Sequence, residues 1–79
     1  MADMKTILYD MVCAIVDYPD QVSIDEETKG DEIILTLSVA QSDMGKVIGR
    51  HGKIARSLRL IMRAAAVRAN AKVSVEIKE

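Results

Sequence analysis

At 79 residues, with 49% hydrophobic and 29% charged side chains, the chain has the size and balance of one small folded domain over residues 1–79, with no length for a deep catalytic cleft. One cysteine excludes an internal disulfide and a cysteine-held metal, and no apolar run approaches a membrane span. The net charge of −1 conceals a polarity: residues 1–43 sum to −8 and residues 44–79 to +7, with no acid from 44 to 75. A one-sided basic field points to a polyanionic partner.

In chain order, Met4, Ile7, Leu8, Met11, Val12, Ile15 and Val16 recur at helical spacing and predict an amphipathic helix over 3–17. Asp3 is placed to cap it and Pro19 to end it. The N-terminus lacks a basic region followed by an apolar run, so a cytoplasmic address is expected. Cys13 lies among Val12, Ala14, Ile15 and Val16 and reads as a small buried hydrophobe. Strands follow over 21–27 and 32–39. In the second, Ile33, Leu35, Leu37 and Val39 alternate with Ile34, Thr36 and Ser38. Thr28-Lys29-Gly30-Asp31 between them reads as a hairpin turn.

Ser42 is placed to cap a short helix through Ile48, with Gly49 at its left-handed end. A long helix over 53–70 carries Ala55, Leu58, Ile61, Met62, Ala65 and Ala69 on its predicted core side, and Arg56, Arg59, Arg63 and Asn70 opposite. A last strand over 72–78 turns Val73, Val75 and Ile77 inward. The order α-β-β-α-α-β predicts an α+β fold, a three-stranded sheet covered on one face by three helices.

The most informative stretch is Val47-Ile48-Gly49-Arg50-His51-Gly52-Lys53-Ile54. Two glycines permit positive φ and close approach of a ligand to the backbone. A helix beginning after Gly52 directs its free N–H groups into the same turn. Arg50 and Lys53 complete a small anion-binding corner, fitting a nucleic-acid phosphate. A Walker loop is excluded, because the required first glycine is Val47 and Ile54 stands where a hydroxyl is needed. A dinucleotide fingerprint is excluded because only the last half of G-x-G-x-x-G is present.

A G-x-x-G turn between two helices resembles the KH domain, whose loop clamps about four nucleotides of single-stranded nucleic acid by the backbone. The element order is similar to the type II, prokaryotic version. Gln41 through Lys53, with the total length, resembles the small single-KH bacterial proteins of the KhpA family. The resemblance implies a cytoplasmic RNA-binding protein, an RNA chaperone or post-transcriptional regulator, that forms a homodimer or pairs with another KH-bearing protein. Carried over by position, Gly49 and Gly52 are the loop glycines, Arg50 and His51 the variable pair, and Ile48 and Ile54 the apolar flanks. The near absence of aromatics argues independently against base-stacking sheets, which need exposed Phe, Tyr or Trp.

The expected RNA-binding set is Lys46, Ile48, Gly49, Arg50, His51, Gly52, Lys53 and Arg56. Arg59 and Arg63 read equally as phosphate contacts or as a solvated helix face. His51 has neither a metal-ligating partner nor a nucleophile to activate, which leaves nucleic-acid contact or a spectator role. Asp25, Glu26, Glu27, Asp31 and Glu32 read as solvated charge rather than a metal site. No catalytic residue, metal or cofactor is expected. Leu60, Ile61 and Val67 exceed what one core stripe requires and mark a candidate partner interface. Two functions therefore stand: a single-stranded-RNA-binding module, and a protein–protein adaptor that engages its partner through the second long helix.

Overall fold

The computed structural model describes residues 3–78. Its elements are α1 (Met4–Cys13), β1 (Ser23–Lys29), β2 (Glu32–Ser38), α2 (Met44–Ile48), α3 (Lys53–Arg68) and β3 (Lys72–Ile77), with short 3₁₀ turns before β1, before α2 and before α3.

Asp3 caps α1 as expected, its carboxylate accepting the Thr6 N–H at 2.8 Å. Leu8 and Val12 of this helix are fully buried. The helix ends at Cys13, four residues short of the predicted 17 and well before Pro19. The Ile15 and Val16 N–H groups both turn back to the Val12 carbonyl, at 3.0 and 3.2 Å. The next two, of Asp17 and Tyr18, leave the helix ladder for the side chain of Asp43. Pro19 instead opens a 3₁₀ turn, where its missing N–H costs nothing. Cys13, expected buried, is half-buried.

The hairpin forms as the alternation predicts, with both strands shifted within a residue or two of their expected ends. β1 and β2 pair antiparallel from Ser23↔Ser38 to Lys29↔Glu32, and Gly30 turns the chain at φ +61°. β3 then pairs parallel to β2, from Glu32↔Lys72 to Leu37↔Ile77, so β2 is central and β1 and β3 are edges. A parallel pair needs a long crossover, and α2 with α3 supplies it.

Ile24, Leu35, Leu37 and Val75 on the covered face of the sheet meet Leu8, Val12, Val47, Leu58 and Met62 from the helices. On α3 the buried stripe is Ala55, Leu58, Met62 and Ala66. This corrects the predicted core side: Ile61 is 48% exposed, Ala69 is exposed and Ala65 only half-buried. α3 packs on β3 and on α1 together, and that double contact rotates its apolar face toward Ala66. The helix ends at Asn70 in the left-handed region, φ +56°. The Ala71 N–H reaches the Ala66 carbonyl at 2.8 Å and the Asn70 N–H that of Val67 at 3.1 Å, closing the helix in a Schellman arrangement.

Candidate nucleic-acid interface

The turn after α2 reverses direction in four residues. Gly49 has φ 75° and ψ 172°, a region that only glycine enters readily. A Cβ there would lie 2.6 Å from Ile54 Cγ1 and 2.9 Å from the Ile54 backbone nitrogen. Glycine is therefore required twice, for its conformation and for the contact. His51 (φ 58°) and Gly52 (φ 72°) are both left-handed, and the Gly52 N–H donates to the Gly49 carbonyl at 3.2 Å. α3 starts at Lys53 with no side chain capping its first N–H groups. Arg50, His51 and Lys53 are exposed around that open helix end. The turn is thus an exposed corner of backbone donors and basic side chains, suited to an anionic oxygen. Ile54 lies over Gly49 rather than in the core, and Ile48 is half-buried at the head of a groove.

That groove, about 580 Å³, runs between α3 and the free edge of β3. Ile48, Ala55, Leu60 and Ile77 supply its apolar lining, Gly52 one end, and Arg56, Arg59 and Arg63 its basic wall. Arg59 Nε donates to the Val75 carbonyl on the strand edge at 3.1 Å, which fixes that guanidinium across the groove. A smaller cleft, about 310 Å³, continues along Val73 to Glu76 beside Arg59 and Arg63. One turn before Ile48 on α2, Met44 lines a further cleft with Val39, Gln41 and Lys78. Neither Tyr9 nor Tyr18 lines any of these.

The structure therefore gathers Ile48, Gly49, Arg50, His51, Gly52, Lys53 and Arg56 at one end of the groove. Lys46 is held apart from them: its ammonium lies 3.0 Å from Asp17 and 3.7 Å from Asp43. The Asp17 contact raises the Lys46 pKa above its usual value. Asp43 was not singled out by the sequence, yet it is wholly buried and accepts the Asp17 and Tyr18 N–H groups, one on each oxygen, at 3.0 Å. Burial alone would push its carboxyl up. The two main-chain donors and Lys46 outweigh burial and leave it below the ordinary value of 3.8. Ser42, the expected cap of α2, makes no capping bond, and Asp43 occupies that position instead. Of the three apolar residues proposed for a partner, Leu60 lines the groove, while Ile61 and Val67 (73% exposed) lie outside it. Among the described residues no group of three or more His, Cys, Asp or Glu side chains converges as a metal site, and no helix is long and apolar enough to cross a membrane.

A mixed three-stranded sheet with three helices on one face, and a G-x-x-G turn between the last two helices at the head of a groove, defines a KH-like module. Comparison with known proteins agrees. The family model described as KhpA/KhpB, KH domain, matches residues 5–77. The RNA-binding protein KhpA of Clostridium acetobutylicum is 49% identical over 94% of this chain and 99% of its own length. Its namesake in Bacillus subtilis is 38% identical over 94% and 91%, and that of Chlamydia trachomatis 40% over 96% and 97%. The chain belongs to the KhpA/KhpB KH-domain family.

Proposed function

We propose that the chain is a non-enzymatic RNA-binding protein that holds single-stranded RNA in the groove between the G-x-x-G turn, α3 and the β3 edge. One observation carries this reading. The exposed turn, with its uncapped helix start, opens onto an apolar-floored groove walled by three arginines. Phosphates sit at Gly49–Lys53, and bases lie over Ile48, Ala55 and Leu60, where aliphatic side chains replace the aromatic platforms the chain lacks. The relatives' printed name, RNA-binding protein, supports the same conclusion. Cytoplasmic RNA chaperoning or post-transcriptional regulation is the role this activity would serve.

The exposed Ile61 favours self-association, or pairing with a second KH-bearing protein, through the side of α3 away from the groove, while Val67 lies beyond the groove at the far end of the helix. This keeps RNA binding and partner binding on separate surfaces of one helix.

The decisive variant is Arg50→Asp with His51→Asp. Aspartate tolerates the left-handed conformation at 51, and both sites are exposed, so the fold should hold. Two negative charges at the phosphate corner should reduce affinity for a single-stranded oligoribonucleotide by at least tenfold. A folded double variant that binds like the wild type would show that the turn is not the site.

A further inference from the structure

Asp43 is the one fully buried charged side chain among the described residues. At the first residue before a helix, a carboxylate ordinarily bonds the N–H groups of its own first turn. Here it makes no such bond. Each oxygen instead takes a main-chain N–H from Asp17 or Tyr18, residues more than twenty positions earlier in the chain. Lys46 closes the cluster from α2, reaching Asp17 and Asp43 together. The local cap has been given up for a tertiary one, and such departures from a local rule mark positions with another task.

The task follows from α2 itself. This helix has five residues and buries one side chain, Val47. So short a helix has little intrinsic stability and cannot hold its own direction. Yet it carries Ile48 and delivers the chain into Gly49, whose backbone must meet Ile54 closely. The Asp43 cluster fastens the first turn of α2 to the α1–β1 connection, and the Gly49–Ile54 contact fastens its last.

We propose that Asp43 is a positioning residue for the RNA groove: by anchoring the Asp17 and Tyr18 amides it sets the direction of α2, and so pre-arranges Ile48 and the G-x-x-G turn for the ligand. This rests on the RNA-binding reading above. It also assigns Lys46 to this latch rather than to phosphate. Because coupling is reciprocal, RNA in the groove must tighten the latch as much as the latch favours RNA.

The test uses the whole chain and a short mixed-sequence single-stranded oligoribonucleotide. In the wild type, amide hydrogen exchange at Asp17 and Tyr18 should slow when RNA is added, although neither residue lines the groove. Asp43→Ala, assayed well below its melting temperature, should bind RNA about tenfold more weakly because the competent arrangement is populated less. Its log-affinity against log-salt slope should not change, since no phosphate contact is lost. Asp43→Asn keeps one acceptor oxygen and should fall between. Lys46→Gln spares both main-chain bonds but takes the ammonium out of the latch, and should lose less affinity than Asp43→Ala. A purely structural Asp43 would lower melting temperature and leave the affinity of folded protein unchanged, which overturns the proposal. So would unaltered exchange at Asp17 and Tyr18 on adding RNA, a result that needs no variant to fold. A loss in Lys46→Gln equal to that in Asp43→Ala would overturn it too, by placing the effect in the lysine. Failure of the wild type to bind RNA would instead refute the functional reading beneath it.

Discussion

Three glycines within eight residues face different constraints, and each predicts a different outcome of substitution. Gly45 lies inside α2 with open space where a Cβ would go, so Gly45→Ala should stabilise by about 0.5–1 kcal/mol through reduced chain entropy. Gly52 also has open space but sits at φ 72°, so Gly52→Ala should cost about 1–2 kcal/mol for the left-handed conformation alone. Gly49→Ala adds a backbone collision to a conformation costing about 1–3 kcal/mol and should be the worst of the three. Urea denaturation of the three variants checks the order, and a Gly49→Ala no worse than Gly52→Ala would contradict the Ile54 contact. The G-x-x-G pattern is legible in the sequence because it lies within four residues and has few physical uses. What is not legible is why the two glycines differ. That depends on Ile54 folding back over Gly49, a contact set by the sharpness of the turn.

At the scale of elements, periodicity locates α1, α3 and the strands, end signals locate α2, and both err where a distant partner decides. α1 stops at Cys13 because Asp43 recruits the Asp17 and Tyr18 amides, a bond no local pattern announces. α3 shows the same effect in its rotation. Its period was plain, but whether Ile61 or Ala66 faces inward depended on packing against α1 and β3. Neighbouring substitutions test the outcome: Met62→Ala should cost about 2–5 kcal/mol as a core cavity, and Ile61→Ala no more than about 0.5 kcal/mol. Equal losses would restore Ile61 to the core. The latch also predicts an acid response. The folded Asp43 carboxyl lies below its ordinary 3.8, so its contribution is complete above that value and is lost as pH falls through the lowered folded value. Asp43→Asn should therefore be less stable than the wild type at neutral pH, and the gap should narrow below about 3.8. Thermal melts across an acid series measure it, and a gap constant with pH would remove the charge of Asp43 from the account.

For the whole molecule, the charge polarity of the sequence becomes a spatial one. The acidic β1–β2 hairpin lies apart from the G-x-x-G turn, with Asp31 beside Lys72 at the far end of α3. On the proposed reading, RNA meets the basic end alone. With roughly three or four phosphates neutralised, log affinity should fall against log salt with a slope of about −2 to −3. On that reading a single groove of this size binds weakly, and linking sites would raise the affinity. Ile61 would then offer the means, because it lies on α3 outside the groove and would leave the groove free in an associated pair. Once one groove is occupied, a long RNA meets the second at high effective concentration, whereas an RNA that fills one groove gains nothing. Ile61→Lys separates these cases, and the exposure of Ile61 lets it fold. Sedimentation should show the wild type as a dimer at micromolar concentration and the variant as a monomer. The variant should bind a short oligoribonucleotide like the wild type and a long one at least tenfold more weakly. An equal loss for both lengths would place Ile61 in the binding machinery itself, and no loss for either, in a variant shown to be monomeric, would mean that the pair does not share one RNA.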